Sequence, residues 1–150
     1  MIHLENEKGD FLRMEVLGYE FPDTSGFNID MYYDANWLNL FIEAKINDLH
    51  WVRTSPCIMT HEIIWTIDWL RAIERGEEPD SGPVYLELNL SLEMMGKKNG
   101  KITLRFEFSV EFNPLPNEED LFFEADFTKE KLNELIKSYE ESLIKFPVRK

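Results

Sequence analysis

Cys57 and His61 are the pair of side chains in this chain best suited by type and spacing to act as nucleophile and base. On a helix they would stand one turn apart, and a helix N-terminus lowers a thiol's pKa toward the reactive thiolate. The competing reading is packing, since a lone cysteine is most often a small buried hydrophobe. Pro56 and Thr60 also compete for the helix cap at this junction. His50, Cys57, His61 and Glu62 suggest a metal only at first sight. Their spacing matches no structural zinc pattern, and His61-Glu62 does not open a His-Glu-x-x-His helix. The seven glycines are scattered and form neither a phosphate-binding loop nor a Gly-x-Ser-x-Gly elbow. With 29 acidic side chains, carboxylate pairs arise by chance and identify no acid and base. The expectation is a protein that is not an enzyme and carries no cofactor or metal.

Charge is more informative. The 150 residues carry 16 Lys and Arg against 29 Asp and Glu, a formal net charge of −13. Such a surface repels nucleic acid and anionic membranes and favours a basic protein partner. The excess is spread through both halves of the chain. Acidic side chains cluster at Glu74, Glu77, Glu78 and Asp80, at Glu118, Glu119 and Asp120, and at Glu87, Glu93, Glu107 and Glu111. Each cluster taken alone reads as a solvated face. Together they steer a cationic partner. Lys97, Lys98 and Lys101 form the one basic cluster, which solubilises a turn and blocks edge pairing.

The elements that would position these groups follow from periodicity. Val84 to Met94 alternates, with Val84, Leu86, Leu88, Leu90, Leu92 and Met94 predicted inward; Ile102 to Phe112 alternates likewise, and Asn99-Gly100 lies in the turn between them. Trp37 to Ile46 is a third strand, Phe11 to Phe21 a less regular one, and Leu121 to Phe127 and Ile2 to Glu7 are shorter candidates. Ile63, Ile64, Ile67, Leu70 and Ile73 form the stripe of a helix capped by Thr60 and stopped at Gly76. Trp65 and Trp69 widen its apolar surface beyond half the circumference, so cover from two directions is expected. A second helix follows Thr128 and ends before Pro147, with Leu132, Leu135, Ile136, Tyr139 and Leu143 inward. The order β-β-β-α-β-β-β-α describes a single α+β domain over residues 1–150, with an antiparallel sheet of about six strands and two helices packed on one face.

The segment Pro22 to Asn36 is long for a connection and carries Asp23, Asp30 and Asp34 beside Phe27, Tyr32 and Tyr33. It reads as a functional loop, a variable insertion or one more irregular strand. The first twenty residues have no signal-peptide pattern, and the apolar stretch Ile63 to Ile73 is broken by Asp68 and Arg71. With one cysteine, no internal disulfide can form. A cytoplasmic location is expected.

Gly18-Tyr19-Glu20-Phe21-Pro22, Asp34-Ala35-Asn36-Trp37-Leu38, Trp51, Ser55-Pro56-Cys57-Ile58-Met59-Thr60-His61-Glu62 and Trp69-Leu70 occur in the order and spacing of successive landmarks. With Leu86-Glu87-Leu88-Asn89-Leu90-Ser91 and Leu104-Arg105-Phe106-Glu107, they resemble the WapI-type immunity protein family across about residues 9 to 114. The chain departs from that pattern at His61, at Leu88 and in the length of the Pro22 to Asn36 segment. The resemblance implies a bacterial immunity protein that protects its own cell in contact-dependent growth inhibition. It would bind and neutralise a cognate polymorphic toxin domain, often a nuclease, stoichiometrically and without chemistry. Tyr32, Tyr33 and Trp37 are then candidate anchors, and Asp30, Asp34, Glu77, Glu78, Glu118, Glu119 and Asp120 candidate charge partners, in a monomer or weak homodimer. Trp51 and Trp69 are expected in the core. The alternatives are an adaptor or structural module and a small Cys/His-dependent enzyme.

Overall fold

The computed structural model describes residues 1–117 and 119–150. Among the described residues seven strands form two antiparallel sheets, so the single sheet of about six strands expected from periodicity is divided in two within an α+β fold. The first sheet is a meander of β1 (Ile2–Glu5), β2 (Phe11–Tyr19), β3 (Trp37–Ile46) and β4 (Leu49–Met59). The second is β5 (Leu90–Lys98), β6 (Lys101–Phe108) and β7 (Leu121–Phe127). A short helix α1 (Tyr32–Ala35) precedes β3, α2 (Thr60–Glu74) follows β4, and α3 (Lys129–Lys145) follows β7.

The strands form where alternation is clean. Along β3, Leu38, Leu40, Ile42, Ala44 and Ile46 are buried, and Ala44 faces Trp51 across β4. The β3–β4 turn is tight because Asn47 takes a positive φ of 55°. β4 itself escaped periodicity: among the described residues it pairs only with β3, its outward face is exposed, and Pro56 falls in the bulge between Ser55 and Ile58, where no ladder N–H is required. β6 ends at Phe108 and not at Phe112. Residues Val110–Phe112 form a 3-10 turn that returns Phe112 to the core. One continuous core contains Phe106, Phe108, Phe112, Phe123 and Phe127 together with the inner faces of the first sheet and both long helices.

The sheets are tied at two seams. The Asn6 side chain donates to the Glu124 carbonyl at 2.9 Å, and Trp51 Nε1 donates to the Phe112 carbonyl at 2.9 Å. Trp51 and Trp69 are buried, as expected of large aromatics. α2 and α3 are bridged by Arg71, which reaches Glu140 at 3.2 Å. Thr128 caps α3 by accepting from Lys131 N–H at 3.2 Å. Thr60, by contrast, does not cap α2. It is the first helical residue, and its hydroxyl donates to Asn36 Oδ1 at 2.9 Å. Among the described residues no helix is long and apolar enough to cross a membrane.

Val84, Leu86 and Leu88 do not enter the core. The strand begins at Leu90, and the chain before it is drawn onto α2 instead, leaving these three side chains exposed. Phe106 is fully buried against Phe123. Replacing it with alanine should lower the unfolding free energy by about 3 to 5 kcal/mol, measurable as a fall in the denaturant midpoint.

Candidate functional site

The nucleophile reading fails on geometry and on charge. Cys57 is buried in β4, and burial pushes its thiol up to about 12, with the nearby Glu62 carboxylate acting in the same direction. Activation needs the opposite shift. His61 does not turn toward Cys57. Its ring stands edge-on to Trp65 at 5.0 Å and packs against Tyr33 at 5.7 Å. Among the described residues no group of three or more His, Cys, Asp or Glu side chains could hold a metal ion.

Those ring contacts belong to an exposed surface built from two distant stretches of chain. Pro22 to Asn36 is neither an open loop nor a strand but a succession of tight turns. Asp23 accepts from Ser25 N–H, and Asn28 accepts from Asp30 N–H to cap a 3-10 turn over Ile29–Met31 that runs directly into α1. Asn36 closes the segment. Its buried amide donates to the Tyr32 and Arg149 carbonyls, both at 2.9 Å, while its oxygen accepts from Thr60 and from Arg149 N–H.

Arg149, beyond α3, holds the segment from behind. Its guanidinium donates to the carbonyls of Phe21, Pro22 and Ala35 and lies over the Tyr19 ring with 3.5 Å to the centroid. Tyr19 in turn donates to the Pro147 carbonyl. The charge is therefore satisfied by carbonyl dipoles and a π-face, without consuming a carboxylate.

So held, the segment presents Asp30, Tyr32, Tyr33 and Asp34 to solvent. Tyr32 meets Tyr33 at 5.6 Å, and Tyr33 meets His61, which meets Trp65, so an aromatic row runs from α1 to the outer face of α2. Negative charge gathers beside it: the Glu20 carboxyl is raised above its ordinary value by partial burial and then by Asp34. Trp37 is half-buried at the start of β3. Glu77 pairs with Arg75 at 2.9 Å on the turn after α2, and Glu78 is exposed beside it. Glu119 and Asp120 are exposed ahead of β7, and Glu118 lies outside the described residues. The structure thus brings Asp30, Tyr32, Tyr33 and Asp34 together and leaves the other acidic candidates on separate segments.

Periodicity missed half of the row. Trp65 was expected under a second layer of cover, yet it is 48 % exposed, and Ile64 beside it is also exposed. The breadth of the apolar surface of α2 was the available signal, and one of its two directions is open. A model of the immunity protein WapI-like family matches residues 2–147. No curated protein and no solved structure gave a match.

Two outcomes follow from this geometry. Cys57 should react with a thiol reagent at pH 7 to 8 only at the rate of global unfolding; fast stoichiometric labelling of the native protein would restore it as a nucleophile. Arg149→Ala should speed amide exchange across residues 20–36 by about tenfold or more while exchange in β6 stays slow. Arg149→Lys should not restore protection, because an ammonium cannot span three carbonyls as a planar fork does.

Proposed function

The chain belongs to the immunity protein WapI-like family, and from that premise we propose that it neutralises a cognate toxin domain by stoichiometric binding, without catalysis. The observation that carries this reading is the exposed aromatic row on a fixed backbone, flanked by carboxylates. Tyr32, Tyr33 and Trp65 are the anchors within the row, and Trp37, half-buried at the start of β3, is a further anchor outside it, since tyrosine and tryptophan supply large contact areas at low entropic cost. Asp30 and Asp34 are the charge partners at its rim. Glu77, Glu78, Glu119 and Asp120 contribute to the long-range field.

The partner is a basic protein. A chain of net charge −13 attracts a cationic toxin, such as a nuclease domain, and the same charge keeps the protein off nucleic acid and anionic lipid. Protection then results from occupying the toxin surface, in the cytoplasm of the cell that makes both proteins. The immunity protein acts as a single-domain monomer or weak homodimer. The raised thiol of Cys57 and the engagement of His61 in the aromatic row support a binding role over chemistry.

Mixing the protein with a catalytically disabled toxin domain from the gene adjacent to its own should give a 1:1 complex. Tyr33→Ala and Trp65→Ala should each weaken it by about 2 kcal/mol, or roughly thirtyfold in Kd. The association rate constant should fall about tenfold or more between roughly 0.05 and 0.5 M salt. An association rate that ignores salt would remove the steering argument, and the absence of any complex would remove the reading itself.

A further inference from the structure

The stretch between α2 and β5 has the alternation of a core strand and the exposure of a surface. Val84, Leu86 and Leu88 are 74 %, 69 % and 67 % exposed, whereas Tyr85 and Asn89 are buried. An alternating apolar row that continues directly into buried Leu90 and Leu92 is ordinarily covered. Here it is held open.

The backbone bearing the row is pinned from the inner side at five points. Trp69 Nε1 donates to the Ser81 carbonyl at 2.9 Å. Gly82 packs so closely that a Cβ there would meet the Leu92 carbonyl oxygen at 1.6 Å. The Tyr85 hydroxyl is hydrogen-bonded to Thr66, Leu86 N–H donates to Glu62 Oε2 at 2.7 Å, and Asn89 donates to Ser55 Oγ and Glu111. Collapse of Leu86 and Leu88 onto the protein is blocked by these ties. Glu62 and Thr66 are also the α2 residues that bracket exposed Trp65, so the apolar row is laid against the helix that carries the end of the aromatic row.

We infer that Val84, Leu86 and Leu88 form a docking strip for an apolar stretch of the toxin domain that is flanked by lysine or arginine. This rests on the immunity reading and specifies where and how the toxin is held. The occupant is chosen by charge. Glu77, Glu78, Asp80 and Glu87 lie within or just ahead of the strip, and none of Asp80, Glu78 and Glu87 is used in an ion pair among the described residues. A second copy of this chain would bring the same carboxylates against them, so self-association through the strip is disfavoured. A cationic rim around an apolar centre complements both parts, and a pre-pinned strip loses little freedom on binding.

The test measures binding of the disabled toxin domain from the adjacent gene to the wild-type protein and to the double variant L86S/L88S, with thermal melts of each. The strip predicts a loss of affinity of at least tenfold, carried mainly by faster dissociation, with the melting midpoint of the variant unchanged or raised because no buried contact is removed. Glu87→Lys should slow association and flatten its salt dependence. Val52→Thr, an exposed apolar residue of β4, should leave affinity unchanged. Wild-type-like binding by L86S/L88S would overturn the strip and leave the immunity reading standing. Failure of the wild-type protein to bind would overturn that reading, and the strip's proposed occupant with it.

Discussion

Glu62 is a charged side chain in a place that has almost no water: it is 1 % exposed, and both of its carboxylate oxygens are occupied by backbone donors. Oε1 accepts from Met59 N–H at 2.8 Å, which joins the end of β4 to the first turn of α2. Oε2 accepts from Leu86 N–H, which fastens the apolar strip to the same turn. Burial raises the Glu62 carboxyl, while the two N–H donors and the neighbouring His61 act against that shift. The net direction is upward, so the folded state holds this proton to higher pH than the unfolded chain does. Its ionisation therefore costs stability as pH rises from the ordinary glutamate value through the raised one. That cost is tolerated because one carboxylate closes two junctions that otherwise leave buried N–H groups unpaired.

A second tie, remote in sequence, complements the first. Arg149 fixes the Tyr19 to Asn36 region through backbone carbonyls, the Tyr19 ring and the Asn36 side chain, with no carboxylate involved, and Asp30 and Asp34 enter no ion pair among the described residues. Around Glu62 and around Arg149 the same principle operates: the backbone is held from inside so that apolar and acidic side chains can face water in a fixed arrangement. A surface of this kind is costly for a solitary protein, because exposed leucine and tryptophan gain nothing from folding. It is consistent with a partner that covers it.

Much of the fold was legible because its strands and helices keep their own period. β3, the β5–β6 hairpin, β7 and both long helices follow directly from which residues are apolar. β4 did not, since an edge strand with an exposed face and a proline loses the alternation that marks a strand. Val84 to Leu88 shows the reverse failure. Its pattern is as regular as that of Leu90 to Met94, but the direction of burial is set by Glu62, Thr66 and Gly82, contacts that no local window contains. At the candidate site, Asp30, Tyr32, Tyr33 and Asp34 stood out as an unusual composition for a connecting segment. Trp65 did not, because a tryptophan on an apolar helix reads as core, and the clamp by Arg149 spans more than a hundred residues.

In the proposed complex a toxin domain covers both the aromatic row on α1 and α2 and the apolar strip that Glu62 and Thr66 tie to α2 before β5. Hydroxyl-radical footprinting of the free protein and of its complex tests it side chain by side chain. The account predicts that oxidation of Tyr33, Trp65, Leu86 and Leu88 falls sharply in the complex while Val52 and Ile144, exposed elsewhere, keep their reactivity. Unchanged oxidation at those four residues, with protection appearing instead on the Lys97 to Lys101 hairpin tip or on the outward face of β4, would contradict it.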